Sequence, residues 1–179
     1  LMFLEWANRG INLWTIEQGT IAMVQGTISY NLPVDTVDLM EQVVRTGSGT
    51  TQTDISISRI SADTYASISS KNSQGRPLQV WINRQSGATV PVSGIAYPTI
   101  SVWPVPDKSN YYTFVYWRLR RIQESGGGVA TQDVPFRFIP AMVAGLAYHL
   151  AVKLPDALPR VDMLKMQYEE QWQLAADED

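Results

Sequence analysis

His149 is the single histidine of this chain, and there is no cysteine, so the side chains that most often carry nucleophilic or metal chemistry are nearly absent. A lone imidazole works as a general base when a serine or carboxylate orients it. No such residue stands at a known catalytic spacing from His149, which lies next to Leu150 of an apolar stripe with Lys153 one turn on. It reads as a flank residue at a helix–helix or subunit contact. Asp35, Asp38 and Glu41 come close together but lack the glycine and alternating oxygens of a calcium loop, so a solvated turn is the plainer account. Gly126-Gly127-Gly128 is followed by no lysine and reads as a tether, not a phosphate cradle. No cofactor and no metal is expected.

Two clusters remain. Arg118, Arg120 and Arg121, with Arg137 further on, concentrate positive charge that could meet phosphates or the acidic groups of a neighbouring protein. The cluster is short and the chain carries a net charge of −3, which favours a protein partner. These four arginines are therefore candidate contacts with another subunit or partner. Trp81, Trp103, Tyr111, Trp117 and Tyr97 could form a sugar-stacking platform on a sheet face, or simply pack a β core. Nothing in the sequence supports catalysis, and the expectation is a chain that is not an enzyme.

The elements that must position these residues fit into 179 residues, enough for one domain or two small modules. A hydrophobic fraction of 45% with only 17% charged residues describes a folded chain whose surface is rich in Ser, Thr, Gln and Asn. No apolar run approaches the ~20 residues that span a bilayer. Disulfides are excluded.

Leu1, Leu4, Trp6 and Ala7 read as the end of an amphipathic helix stopped at Asn8-Arg9-Gly10, and the expectation is that the natural gene product continues upstream. After Gly10 the texture becomes extended. Strands are predicted over Trp14–Val24 and Thr27–Leu32, joined as a hairpin at Gln25-Gly26, and then over Leu39–Thr46 and Asp54–Ser58. Ser61 to Thr64 starts a short helix that Ile60, Tyr65 and Ile68 pin to a sheet. Strands resume at Leu78–Asn83, Thr99–Trp103 and Tyr111–Arg121. The last is apolar on both faces and so belongs in the middle of its sheet.

From Pro135 onward the pattern is a helical hairpin broken at Pro155 and Pro159. Phe138, Met142, Leu146 and Leu150 form the apolar stripe of its first helix, and Leu164, Tyr168 and Trp172 that of its second. These seven residues are the expected assembly stripe, because two one-sided helices cannot cover each other completely. The predicted organisation is an N-terminal helix end at residues 1–13 packing with the C-terminal helices. A β-rich module with one short helix covers 14–122, a flexible linker 123–134, and the helical hairpin 135–179. The fold class is α+β: a helical bundle formed by the N-terminal and C-terminal helices, with an inserted antiparallel β-sheet or sandwich module.

With that order in hand, the chain resembles the head-to-tail adaptor proteins of tailed bacteriophages, the class that includes the tail tubular protein A of short-tailed phages. The resemblance rests on Glu5-Trp6-Ala7-Asn8-Arg9-Gly10 running into Ile11-Asn12-Leu13-Trp14, on Ile57-Ser58-Arg59-Ile60-Ser61, and on Gly75-Arg76-Pro77 followed by Val80-Trp81-Ile82. It continues through Val102-Trp103-Pro104-Val105-Pro106-Asp107, Tyr116-Trp117-Arg118, Asp133-Val134-Pro135-Phe136 and Leu146-Ala147-Tyr148 with Leu150-Ala151. Relatives of this kind have longer first helices.

The resemblance implies a structural virion protein of the phage neck, assembled in the host bacterial cytoplasm. It implies a homo-oligomeric ring, commonly a dodecamer, that docks on the portal protein, meets a tail nozzle or other tail proteins, and joins capsid to tail. Double-stranded DNA would pass through the lumen during genome packaging and ejection without sequence-specific binding, and no membrane is involved. The four arginines would then contact a subunit or the portal. The alternative from another class is a carbohydrate- or receptor-binding β module of a phage tail fibre, using the aromatic platform. A hydrolase with an unrecognised site is a weaker third.

Overall fold

The computed structural model describes residues 2–10, 13–85, 89–90, 94–123 and 132–177. The chain divides into two compact units, Leu1–Thr15 with Ile122–Asp179, and Ile16–Arg121. The predicted linker at 123–134, with Gly126-Gly127-Gly128, lies largely outside the described residues.

In the second unit, alternation of apolar and polar residues builds two four-stranded sheets face to face. The first sheet has the order β1 (Ile16–Ala22), β12 (Tyr112–Arg120), β3 (Thr36–Thr46), β4 (Thr53–Ser56), antiparallel throughout. The second has the order β2 (Ser29–Asn31), β10 (Thr99–Trp103), β7 (Gln79–Asn83), β5 (Ser58–Ile60), with β5 parallel to β7. Leu39, Val44, Phe114 and Tyr116 of one sheet meet Val80, Ile82, Ile100 and Val102 of the other in a single buried cluster. That is the geometry of a β-sandwich, and the α+β class is as the sequence predicts. Two short pairs complete the unit: β6 (Gln74–Gly75) with β11 (Val105–Pro106), and β8 (Thr89–Val90) with β9 (Gly94–Ile95).

β12 is central, between β1 and β3, as its two apolar faces require. The predicted hairpin across Gln25-Gly26 is not formed. Gly26 takes the positive φ of a turn (75°), but β1 and β2 belong to different sheets, so the chain turns a corner instead of doubling back. Asp54–Ser58 likewise divides, because buried Ile57 marks the point where the chain leaves β4 and enters β5 in the opposite sheet. A sequence pattern gives the facing of residues but not the sheet they join.

β3 meets β12 with register shifts that leave Met40 and Val37 without partners and exposed. By skipping them, β3 keeps Leu39 and Thr36 on the buried side opposite Arg118 and Arg120. At Gly19 the ring of Tyr116 lies where a Cβ would stand, so only glycine allows that approach. The short helix α2 (Ala62–Ser67) begins at Ser61, whose Oγ accepts from Thr64 N at 3.2 Å. Tyr65 then stacks on Trp81 at 5.2 Å, fastening the helix to the second sheet.

The first unit holds α1 (Met2–Asn8), α3 (Ile139–Ala151) and α4 (Val161–Ala176). Pro155 and Pro159 fall in a 3-10 segment, Pro155–Arg160, that separates α3 from α4. No helix among the described residues is long and apolar enough to cross a membrane.

Candidate assembly surfaces

The helical unit closes around Trp6 and Tyr168. Trp6 Nε1 donates to Tyr168 Oη at 2.8 Å, with both side chains buried. Burial pushes the Tyr168 phenol up to about 12, although the bond from Trp6 works against that, so the hydroxyl is neutral across the physiological range. Phe138 stands 5.7 Å from Trp6 and 5.0 Å from Trp14, completing an aromatic core.

Arg9 follows α1 and fastens its end to α4. Its guanidinium donates to both Glu169 oxygens at 2.7 Å, pairs with Glu5, and lies 4.5 Å from the Trp172 ring centroid. The bond from Arg9 holds the Glu169 carboxyl below its ordinary value. A carboxyl depressed in the folded state stabilises above its unfolded pKa, and that contribution is lost as pH falls through the folded one. Acidification below about pH 4.5 is therefore expected to lower the thermal midpoint of the helical unit more in wild type than in Glu169→Gln. Parallel acid limbs for the two proteins would remove Glu169 from the account. His149 Nε2 lies 3.5 Å from Glu5 Oε2, and its ring packs against Tyr148 and Tyr168, at the flank of this contact.

The expected assembly stripe divides in the structure. Phe138 and Tyr168 are buried, Met142 and Trp172 pack against the aromatic cluster, and Leu164 is half-buried. Leu146 and Leu150 are exposed, so the seven residues do not share one face, and these two point away from the core of the helical unit. Ala141, Gly145 and Ala151 are the buried residues of α3. The reason is closeness of approach: a Cβ at Gly145 would stand 2.6 Å from Met2 Sδ and 2.8 Å from Tyr168 Cε2. The tight contact needs small residues, so the helix turns its large ones outward.

As a result α3 carries a second apolar stripe. Ile139, Val143, Leu146 and Leu150 are 37–59% exposed. At about 100° per residue they fall within a band about 60° wide, on the side opposite the buried face of Ala141, Gly145 and Ala151. Beyond the helix end Leu154 and Leu158 are exposed as well.

The arginine cluster is engaged inside the β unit. Arg118 is buried. It donates to Asp35 Oδ1 at 2.6 Å, Thr36 Oγ1 at 2.9 Å and Glu17 Oε2 at 2.9 Å, and Arg120 Nε binds the other Glu17 oxygen. Burial alone would lower the Arg118 pKa; the carboxylates of Asp35 and Glu17 outweigh it and raise the pKa above its ordinary value. Arg137 donates to Ala175 O at 2.8 Å, capping the end of α4. Arg121 is the exposed member, with Nη2 donating to Val34 O at 3.3 Å. The prediction of outward contacts is thus corrected for Arg118, because β12 turns it inward with Phe114 and Tyr116.

The remaining candidates separate in the same way. Asp35 serves Arg118, Asp38 accepts from Arg59 at 2.9 Å and Arg84 at 2.8 Å, and Glu41 is exposed. Among the described residues no three His, Asp or Glu side chains are grouped to hold a metal ion. The aromatics do not share a platform. Trp81 and Trp103 lie on the second sheet, Trp103 donating to Ser70 O at 3.0 Å, whereas Trp117 lies on the first. Tyr97 and Tyr111 are exposed, with Lys108 Nζ 4.9 Å from the Tyr111 ring centroid. Glu17 and Gly145, which order these contacts, carried no signal in the sequence beyond an acidic residue on a strand and a glycine inside a helical pattern.

The family model described as SU10 adaptor protein matches residues 1–179. No curated protein matches the chain.

Proposed function

Because the chain belongs to the SU10 adaptor protein family, a family of phage adaptor proteins, we propose that it acts as a head-to-tail adaptor in the virion. Copies close into a ring, commonly a dodecamer in proteins it resembles, which docks on the portal, meets the tail, and leaves a lumen for double-stranded DNA. Its work is contact and not catalysis. The observation that supports this reading best is the outward stripe of Ile139, Val143, Leu146 and Leu150 on α3. An aligned row of large apolar side chains in water favours a protein partner, and its four-three-four spacing suits a helix laid alongside. A ring supplies such a partner at every subunit through a heterologous contact.

The test uses Leu146→Asp with Leu150→Asp. Both residues are exposed, so the double variant should fold with a thermal midpoint within a few degrees of wild type. Sedimentation and negative-stain imaging with portal rings should show the wild type assembled and the variant as single subunits. Normal assembly of the variant would remove the stripe from the contact. Failure to fold would return these leucines to the core.

A further inference from the structure

We propose that the first sheet continues from copy to copy, β1 of one subunit pairing antiparallel with β4 of the next. This rests on the ring reading and adds a strand-to-strand contact in the β unit. β1 is the longest edge strand among the described residues, at seven residues, against three each for β2 and β5 and four for β4. Met23 N donates to Tyr112 O at 2.9 Å, and the pairing of β1 with β12 runs without a shift from Ile16 to Ala22. In an antiparallel ladder the backbone groups alternate. Ile21, Gly19 and Glu17 therefore turn theirs to β12, and Ala22, Thr20, Gln18 and Ile16 turn theirs away from it.

Such an edge usually carries a guard, in the form of a lysine, a proline or a bulge. β1 has none of these, and its one charged residue, Glu17, is engaged with Arg118 and Arg120. The side chains of Ile16, Gln18, Thr20 and Ala22 are exposed and uncharged.

The matching edge is on the same sheet. Directions alternate at each step from β1 through β12 and β3 to β4, so β1 and β4 run opposite ways. A copy rotated about an axis roughly parallel to the strands presents β1 antiparallel to its neighbour's β4, and the alternation continues unbroken. Because Asp54 on β4 is held by Arg45 at 2.7 Å and the β1 surface is uncharged, no like charges face each other. Ring closure then leaves neither edge of the sheet open. An extended segment of another protein, or a second β1 across a two-fold axis, could satisfy one edge but would leave the other unpaired.

The chain has no cysteine, so introduced pairs report only the intended contact. Thr20 and Ser56 face the same side of the sheet, opposite to Phe114 and Val44. Ser56→Cys would be combined in turn with Gln18→Cys, Thr20→Cys and Ala22→Cys, assembled under reducing conditions, oxidised, and run on a denaturing gel. The expected result is a ladder of covalent multimers in at least one double variant and in none of the single ones. Rings with no ladder in any combination would overturn the strand pairing and leave the ring intact. A disulfide dimer from Thr20→Cys alone would overturn it in favour of two-fold β1 pairing. Absence of rings would overturn both proposals. Independently, Thr20→Pro removes an outward N–H and spares the ladder to β12. It should raise the concentration for half-assembly about tenfold, with the thermal midpoint nearly unchanged. Unaltered assembly would count against the contact.

Discussion

Trp6→Ala is expected to cost the helical unit about 3–5 kcal/mol, the range for emptying a buried tryptophan site. The indole is fully enclosed, between Phe3 and Phe138 and beside Tyr168. Its loss also strips the Tyr168 hydroxyl of its donor. Trp6→Phe retains most of the apolar bulk and loses the hydrogen bond, so about 1–2 kcal/mol of the effect should remain. Hydrogen exchange read separately over α1, α3 and α4 is the suitable measurement, because the two units need not unfold together. Protection should fall across all three helices in Trp6→Ala. If it falls in α1 alone, the first helix is an appendage and α3 with α4 stand without it.

Arg118→Ala is expected to destabilise the β unit by about 2–4 kcal/mol, somewhat less than a wholly buried pair because Glu17 retains contact with water. The substitution leaves Asp35 without the guanidinium that neutralises it and Thr36 Oγ1 without its donor. Arg118→Lys keeps the charge but cannot reach Asp35, Thr36 and Glu17 at once, so an intermediate loss is expected. Arg121→Ala, at an exposed site, should stay within about 0.5 kcal/mol. Chemical unfolding of the three variants gives the ranking. A larger loss for Arg121→Ala than for Arg118→Ala would contradict the network. The sequence by itself favours the opposite outcome, in which replacing this cluster impairs contact more than folding; that expectation takes Arg118, Arg120 and Arg121 together as a surface feature.

Arg118 and Leu146 show where the linear pattern stops. Alternation and helical spacing give the face a residue lies on, whereas which of two apolar faces is covered depends on what approaches it. On β12, Phe114, Tyr116 and Arg118 share one side by strict alternation, so the arginine enters the sandwich with the aromatics and draws Asp35 and Glu17 after it. On α3, two apolar stripes lie on opposite sides. Hydrophobicity alone prefers the bulkier one, but Tyr168 comes too near for any residue larger than glycine at position 145. The helical hairpin itself, its break at Pro155 and Pro159, the cap at Ser61 and the central place of β12 were all legible, because each follows from local chemistry.

The amino-acid sequence by itself determined the α+β class, the sites of most long elements, the absence of disulfides and, through an ordered set of short motifs, the phage adaptor family. Those properties depend on composition, periodicity and turn residues, which act over a few positions. The tertiary structure alone decided that β1 and β2 part into two sheets, that Arg118 is internal, and that α3 turns Leu146 and Leu150 outward. Each of these is settled by residues far apart in the chain: Met2 and Tyr168 against Gly145, Asp35 and Glu17 around Arg118, Tyr116 across Gly19. Pairwise contact at that range is set by packing volume and charge in three dimensions, and a linear pattern carries no record of it.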